Sequence, residues 1–391
     1  MARNKDFYQG RRQRRNYWLI PFILLLGLVT LMIVLFYGLQ KYAVISDDGV
    51  KVSFSDTMSE ESSGPKGEAE ELSFDTVIPE IIFQAPDYSR IEATAGKNVR
   101  PLRAVYIEAG EVSLERLQTA AANLVDGNGL LIEMKPRSGQ LLWNSQTPIA
   151  VSYGLSLDND FSNSLPAVIP ALKEREDGKK VYMAAQISCF IDDMLASRSN
   201  QYALRTASGF NYVDENGSWL DPYNPDLRNY IVGLVRELYE IGFDEVVLAD
   251  VMHPVVDPTQ VPQGDGEQSA FLYTREMSTE PDPVTAICGF AVYVADQLKD
   301  KSGLLSIYTD SPQSLVRNNE QSGQNAVLFM KIYDRVYYRT DRYTYTYNLQ
   351  DMEGSVPYGD IHDRFVPVVI NMIPHDNSSW VYIERLAEEA Q

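Results

Sequence analysis

Short apolar runs alternate with amphipathic segments from about Pro101 onwards. Apolar runs of this length predict buried strands, and the intervening segments, with apolar residues at helical spacing, predict helices. Such alternation is typical of β/α units that build a parallel sheet. The strand candidates are 103–109, 129–135, 181–188, 245–250, 304–310, 326–334 and 365–371.

The best-defined unit lies between Trp219 and Asp250. Asn224 is a good N-cap, Pro225 suits the first position of a helix, and Gly242 supplies the left-handed residue that ends one. The pattern predicts a helix between Asn224 and Gly242, followed by a strand that ends at Asp250.

Seven strands with helices between them predict an α/β fold, a (β/α)8-type TIM barrel, for which eight strands are the natural closure. After Asn371 the remaining candidate segment is 378–391, and its pattern predicts a final helix better than a helix plus a strand. Two alternatives stay open: the eighth strand is unrecognised, or the barrel is incomplete.

The segment 17–39 has no charged residue and would span about 35 Å as a helix, enough to cross a bilayer. Its length favours an uncleaved anchor over a cleaved signal peptide, and the basic residues before it place the N-terminus in the cytoplasm. We therefore expect a single-pass protein of the cell membrane whose barrel is extracytoplasmic. The predicted organisation is a basic tail at 1–16, a transmembrane helix at 17–39, an acidic flexible linker at 40–73, an extension at 74–100 and the barrel at 101–391.

The charge balance restricts the partners. The chain carries −20 and residues 1–41 carry +6, which leaves −26 for residues 42–391. Such a surface repels nucleic acid and anionic lipid, so the helix at 17–39 is the expected membrane contact and no nucleic acid is expected. The two cysteines, Cys189 and Cys288, are at least as consistent with separate buried thiols as with a disulfide.

Carboxylates recur near the ends of the predicted strands, at Glu108, Glu133, Asp250, Asp310 and Asp334. The ligand-binding face of a β/α barrel lies at these ends, so the carboxylates would converge. Like charges in a buried site separate a protonated acid from an ionised base, as glycosidic bond cleavage requires. The alternative is that acidic residues simply mark where loops begin.

Other chemistries fit the sequence less well. The three histidines are not at metal-ligand spacing, and there is no zinc-type cysteine pair, phosphate-binding glycine loop or nucleophile elbow. We therefore expect no metal and no cofactor. His253 stays a candidate because it lies close to Asp250.

Aromatic residues provide a second signal, because they stack on the apolar faces of sugar rings. Trp143, Trp219, Tyr223 and Tyr333 fall in or beside the predicted loops of the ligand-binding face, although each could simply pack a loop. The run 333–350 predicts an amphipathic strand or hairpin with an aromatic face.

Three stretches resemble a bacterial family of glycoside-hydrolase-like domains with an α-amylase-like barrel. They are NGLLIEMKPRSGQLLWNS at 128–145, AAQISCFIDDMLA at 184–196, and the segment 219–254. The last is the most specific, because Trp-Leu-Asp-Pro-Tyr, the helix and Gly-Phe-Asp-Glu follow in the family's order. Glu133 and Lys135 match the family's Asp and Lys on the second strand.

The polar positions depart from the family. Ala249 occupies the family's carboxylate position, so Asp250 would point elsewhere unless the strand slips or bulges there. Gln186 and Met252 replace two arginines of the family. These coordinated changes indicate a site that has been rebuilt.

The resemblance implies a membrane-tethered glycoside hydrolase that acts on envelope or extracellular polysaccharide. Asp250 would be the nucleophile or base and Asp310 the acid, while Glu133, the third catalytic candidate, would shape the sugar subsite with Lys135. The alternative is a catalytically inactive barrel that binds polysaccharide or serves envelope assembly. The other candidate substrate-binding residues are Gln186, Trp219, Asp221, Tyr223, His253, Tyr333 and Asp334.

Overall fold

The structure, a computed structural model, describes ten stretches of the chain. They are 43–46, 49–52, 99–124, 127–175, 177–255, 271–273, 282–309, 319–340, 361–370 and 379–384. The predicted membrane span at 17–39 lies outside them, and within them no helix is both long and apolar enough to cross a bilayer.

The chain divides into two compact units, Met1–Ile81 and Ile82–Gln391. In the first, Ala43–Ser46 and Gly49–Val52 pair as an antiparallel hairpin inside the segment predicted as a linker. The second contains the predicted barrel.

Eight parallel strands close into a barrel in chain order, which confirms the predicted TIM barrel. Each strand pairs with the next, and the eighth pairs with the first through Trp380 and Arg103. The strands are Arg103–Ile107 (β1), Gly129–Lys135 (β2), Tyr182–Ser188 (β3), Glu245–Ala249 (β4), Leu304–Thr309 (β5), Arg335–Arg339 (β6), Phe365–Ile370 (β7) and Trp380–Ile383 (β8).

Helices follow the strands, as the alternating pattern predicts. The helix after Asn224 is confirmed: the Asn224 side chain accepts hydrogen bonds from the amides of Asp226 and Leu227, and Gly242 ends the helix at φ +115°. The helices are Leu114–Ala122 (α1), Pro148–Tyr153 (α2), Asp160–Leu172 (α3), Asp193–Arg198 (α4), Pro225–Ile241 (α5), Pro283–Leu298 (α6), Ala326–Ile332 (α7) and Ile361–Arg364 (α8), with a 3-10 turn at Ala109–Glu111.

Two sequence predictions of element type were wrong. The run 326–334 was expected to be a strand, but α7 occupies most of it, because Asn325 caps the amide of Leu328 and starts a helix. The sixth strand, β6, comes directly afterwards. The C-terminal segment was expected to be a helix, but β8 lies there and closes the barrel.

Alternate residues of each strand point into the barrel and form layers. The middle layer is apolar and is built around Ala104, Leu131, Ala184, Val247 and Val381. The opposite faces of the strands pack against the helices in a much larger apolar core. The barrel interior is therefore closed in its middle, and polar groups are left to its two ends.

A buried carboxylate lies at the amino-terminal end of the barrel. Glu245 accepts hydrogen bonds from the hydroxyls of Ser306 (2.6 Å), Tyr337 (2.8 Å) and Tyr182 (2.9 Å), and it pairs with Arg335. A buried charge is tolerated when it is paired and hydrogen-bonded, so this cluster stabilises the closed end of the barrel.

Cys189 and Cys288 are both buried and unpaired, which agrees with the expectation of two separate thiols. Burial raises the pKa of the Cys288 thiol to about 12 and that of Cys189 further still. Neither thiol lines the pocket described below.

Candidate active site

A pocket of about 300 Å³ opens at the carboxyl ends of the barrel strands. Its wall combines the last inward-facing residues of seven strands with residues from the loops that follow them. This is the end at which β/α barrels bind ligands. The lining residues are Tyr106, Glu108, Glu111, Glu133, Arg137, Gln186, Ala249, Asp250, Tyr308, Arg339, Ile383 and Glu384.

Asp250 reaches this pocket through an unusual backbone conformation. It follows the last residue of β4 and has a φ of +53°, the left-handed region that aspartate and asparagine enter more readily than most residues. The turn in the chain lets Ala249 and Asp250 both line the pocket. The register problem raised by the sequence is therefore resolved by the backbone just beyond the strand.

Arg137 holds Asp250 in place. Its Nε and Nη2 atoms donate to Oδ1 of Asp250 at 3.0 and 2.6 Å, and its Nη1 donates to Asn216 at 3.3 Å. The Asp250 side chain is 7% exposed and that of Arg137 is 45% exposed. Charge-assisted hydrogen bonds of this length fix the orientation of the Asp250 side chain in the pocket.

Sequence reasoning missed Arg137. The two arginines expected from the family are replaced by Gln186 and Met252, and Arg137, two residues beyond β2, supplies a guanidinium from another direction. The available signal was its position just after a strand end.

Glu133, on β2, is a second carboxylate in the wall of the pocket. Its Oε2 accepts from the amide of Ala109 at 3.0 Å, and it also accepts from the hydroxyl of Tyr106. Burial is the main cause that raises the pKa of Glu133, and the charges of Glu108 and Asp250 add to it, while the two hydrogen bonds oppose it. Glu133 is therefore protonated up to a higher pH than an ordinary glutamate.

Tyr106 links Glu133 to Gln186. The Tyr106 hydroxyl donates to Glu133, and its oxygen accepts from Nε2 of Gln186 at 3.4 Å. This chain of donors fixes the Gln186 amide with Oε1 as its free end. That oxygen is buried and has no hydrogen-bond partner among the residues that the structure describes.

Lys135 lies beneath the pocket and does not line it, which corrects its expected role in substrate binding. The register of β2 against β3 shifts between Glu133 and Lys135, so the two residues do not share a site. Lys135 is fully buried, forms an ion pair with Asp192 at 2.8 Å, and donates to the carbonyl oxygen of Ser188 at 2.7 Å. Its amine is therefore occupied within the protein.

Four loop residues expected to bind substrate pack among themselves or against other loops, and none lines the described pocket. Trp219 is buried, and Asp221 accepts from the amide of Tyr223 at 2.9 Å. The Tyr223 hydroxyl donates to the Asp282 carbonyl oxygen at 2.9 Å. His253 lies 3.0 Å from the Tyr273 hydroxyl, and burial lowers its pKa to about 4, so it is neutral near pH 7.

Tyr333 and Asp334 lie at the other end of the barrel, which corrects their expected placement in the site. They precede β6, because the run 326–334 is mostly helix. The Tyr333 hydroxyl donates to the Ala291 carbonyl oxygen at 2.9 Å, and Asp334 accepts from the amide of Leu305 at 2.9 Å. Asp310 falls outside the described residues, so its predicted role as the acid stays a prediction.

Solved structures match the chain at low similarity. A hypothetical protein from Ruminiclostridium thermocellum is 23% identical over 52% of this chain and 96% of its own, with a TM-score of 0.41. The glycoside hydrolase domain of PgaB (BpsB) from Bordetella bronchiseptica is 14% identical over 72% of this chain and 93% of its own, with a TM-score of 0.48. With TM-scores below 0.5, neither likeness carries weight for function. Among the curated proteins, no sequence matches the chain.

The sequence model of one family, "Putative glycosyl hydrolase domain", matches residues 104–339. The matched region runs from β1 to the end of β6 and contains Glu133, Arg137 and Asp250. Because the match covers more than half of the chain, the chain belongs to this family.

Proposed function

We propose that this barrel is a glycoside hydrolase that cleaves polysaccharide in the pocket formed by Glu133 and Asp250. The observation that carries the proposal is the contrast between these two carboxylates. Burial raises the pKa of Glu133, so that it can carry a proton, and Asp250 forms an ion pair with Arg137. A protonated acid beside an ionised carboxylate is the arrangement that glycosidic bond cleavage needs.

In the proposed reaction, Glu133 donates its proton to the glycosidic oxygen as the bond to the leaving sugar breaks. Either the Asp250 carboxylate attacks the anomeric carbon, and water then hydrolyses the glycosyl-enzyme ester with Glu133 as the base, or Asp250 takes a proton from the water molecule that attacks this carbon. Arg137 orients Asp250 through its two hydrogen bonds, and the Tyr106 hydroxyl orients Glu133. This assignment moves the role of acid from Asp310 to Glu133.

A second candidate is a barrel that binds polysaccharide without cutting it. The contact between Arg137 and Asp250 favours it, because two charge-assisted hydrogen bonds to one carboxylate oxygen stabilise the ground state of a nucleophile. The two candidates differ in a measurable product, which is a new reducing end.

We also propose that the barrel works outside the cytoplasm, tethered by the segment 17–39, on envelope or extracellular polysaccharide. The charge-free segment and the basic residues before it support this topology. Fusing alkaline phosphatase to the C-terminus in bacterial cells tests it. An active fusion supports export, and an inactive fusion with an active cytoplasmic reporter at the same site contradicts it.

The test of catalysis is reducing-end release by the full-length protein, purified in detergent, from a panel of polysaccharides. Glu133→Gln is expected to lower release by about 10²- to 10⁴-fold, the range that a positioned general acid contributes. Asp250→Asn is expected to abolish release, and asparagine suits this site because it tolerates the left-handed backbone.

Glu174→Gln is the matched control. Glu174 is an exposed carboxylate outside the pocket lining, and it pairs with Lys180 at 3.5 Å. Its release is expected to stay within about twofold of wild type, since exposed pairs contribute little. Wild-type protein that binds a polysaccharide but releases no reducing ends would establish the second candidate instead.

A further inference from the structure

The pocket is richer in hydrogen-bond acceptors than its own side chains can satisfy. The Tyr106 hydroxyl donates its hydrogen bond to Glu133, and the Gln186 amide donates one hydrogen bond to Tyr106. Oε1 of Gln186 is then a buried acceptor that receives no hydrogen bond from the residues that the structure describes. A buried acceptor left unpaired costs free energy, so a ligand that donates a hydrogen bond here is favoured.

The charge of the pocket wall also favours a ligand that donates hydrogen bonds. Five carboxylates and two guanidinium groups line the pocket. Arg137 is committed to Asp250, and Arg116 at the rim lies 3.3 Å from Glu111 and 3.8 Å from Glu384. With Glu133 neutral as the proposed acid, the lining keeps four carboxylates against two guanidinium groups, and Glu108 forms no ion pair among the residues that the structure describes.

A neutral sugar can pair with the free acceptor but cannot balance the negative charge of the pocket wall. A hydroxyl can donate to Gln186, but it leaves the excess of negative charge in place. A protonated amine donates the hydrogen bond and also brings a positive charge. The acidic chain, at −20, extends the same field beyond the pocket.

We propose that the pocket selects amino sugars with a free, protonated amine, as in a de-N-acetylated polysaccharide, with Gln186 Oε1 accepting from the ammonium group and Glu108 supplying unneutralised negative charge. Since the same pocket holds the proposed reaction, this substrate class rests on the proposed function. An N-acetylated unit can donate a hydrogen bond through its amide N–H, but it lacks the positive charge.

The test compares binding of two oligosaccharides of equal length and linkage to the full-length protein, one of glucosamine and one of N-acetylglucosamine. Isothermal titration at about pH 5.5 keeps the amines protonated. Wild-type protein is expected to prefer the glucosamine oligomer by at least about tenfold at low salt, and the preference should shrink as salt screens the charges.

Two variants locate the preference. Glu108→Gln removes one charge from the exposed rim, and Gln186→Leu removes the free acceptor; each is expected to lower affinity for the glucosamine oligomer by about three- to tenfold. Affinity for the N-acetylated oligomer should change by less than about twofold with Glu108→Gln. Equal binding of the two oligomers to wild type, or a preference that survives both variants, overturns the proposal.

Spermine separates sugar recognition from simple attraction of cations. If spermine displaces the glucosamine oligomer at an equal concentration of amine groups, the pocket attracts any cation and the proposal fails. Cleavage is scored separately by reducing-end release with wild type and Glu133→Gln. Selective binding without release of reducing ends would contradict the proposed hydrolase and support the amino-sugar site. Release without selectivity would support the hydrolase and contradict the amino-sugar site.

Discussion

At the scale of single residues, Glu133 and Asp250 show how two acidic side chains of one pocket acquire different partners. Glu133 is partly buried, feels the negative charges of Glu108 and Asp250, and receives two neutral hydrogen bonds, from Ala109 and Tyr106. Asp250 meets a guanidinium. Their division of labour follows from these partners, because glutamate and aspartate have nearly the same intrinsic acidity.

The raised pKa of Glu133 predicts a pH-dependent effect on stability. A carboxyl group whose pKa is raised by folding contributes stability below its ordinary pKa, and this contribution is lost as the pH rises through the folded value. Glu133→Gln cannot ionise, so its melting temperature relative to wild type should be more favourable at about pH 8 than at about pH 4.5. Thermal unfolding of both proteins at the two pH values checks this.

Glu174→Gln serves as the control for pH alone, since Glu174 is exposed and lies outside the pocket lining. If Glu133→Gln shifts the melting temperature by the same amount at both pH values, the side chain titrates like an ordinary glutamate in the folded protein, and its assignment as the acid loses its support.

The buried pair of Lys135 and Asp192 predicts a large loss of stability. Lys135→Met removes the positive charge and leaves Asp192 buried without its counter-ion, which costs about 3–5 kcal/mol. Adding Asp192→Asn should recover part of the loss, because it removes the stranded charge. Urea unfolding of the single and double variants measures both effects.

The exposed pair of Lys299 and Asp296 offers a comparison, because Lys299→Met should leave the stability almost unchanged. A Lys135→Met variant that is no less stable than Lys299→Met would contradict the assignment of Lys135 to the protein's framework.

The candidate site could be predicted in part from single residues. Glu133 and Asp250 were accessible because carboxylates that end barrel strands meet at one pole. Arg137 was not, because its partner Asp250 is 113 positions away and nothing local marks the pairing. Lys135 was misassigned because a shift in strand register, which separates it from Glu133, leaves no trace in the hydrophobic pattern.

At the scale of elements, the errors fall where local pattern and tertiary pairing disagree. The run 326–334 is apolar enough for a buried strand, yet the Asn325 cap makes it a helix, and the strand follows in a segment rich in tyrosine and arginine. β8 has four residues, too few to show an alternating pattern against the helix-like composition after it. Pairing with β7 and β1 makes it a strand.

The position of β8 predicts that a short truncation will be severe. A chain that ends at Ser378 loses the strand between β7 and β1, which exposes two unpaired strand edges and opens the apolar layer that Val381 helps to fill. We expect this chain to be aggregated or rapidly digested by protease. A chain that ends at Glu384 keeps β8 and should resist digestion like the full-length protein.

If the chain ending at Ser378 is soluble and as resistant to protease as the full-length protein, closure by β8 is dispensable. Circular dichroism of the soluble fraction then shows whether its helix and strand content matches that of the full-length protein.

At the scale of the whole molecule, the barrel could be predicted because repetition outweighs local errors. Six of seven strand candidates are confirmed, and β/α alternation with an apolar interior has few closed solutions besides an eight-stranded barrel. The functional pole follows from the fold alone. The orientation of side chains at that pole does not, since it depends on loops and on one left-handed residue, Asp250.

The two buried cysteines make the opening of the barrel measurable by thiol labelling. A thiol reacts as the thiolate, and burial keeps both Cys189 and Cys288 from ionising or meeting a reagent. Cys189 follows β3, and Cys288 lies on α6, so labelling both requires the barrel wall and its helical layer to open. The rate at which a chromogenic disulfide reagent reacts with the native protein therefore reports how often the barrel opens. The measurement needs neither a fluorophore nor a mutation.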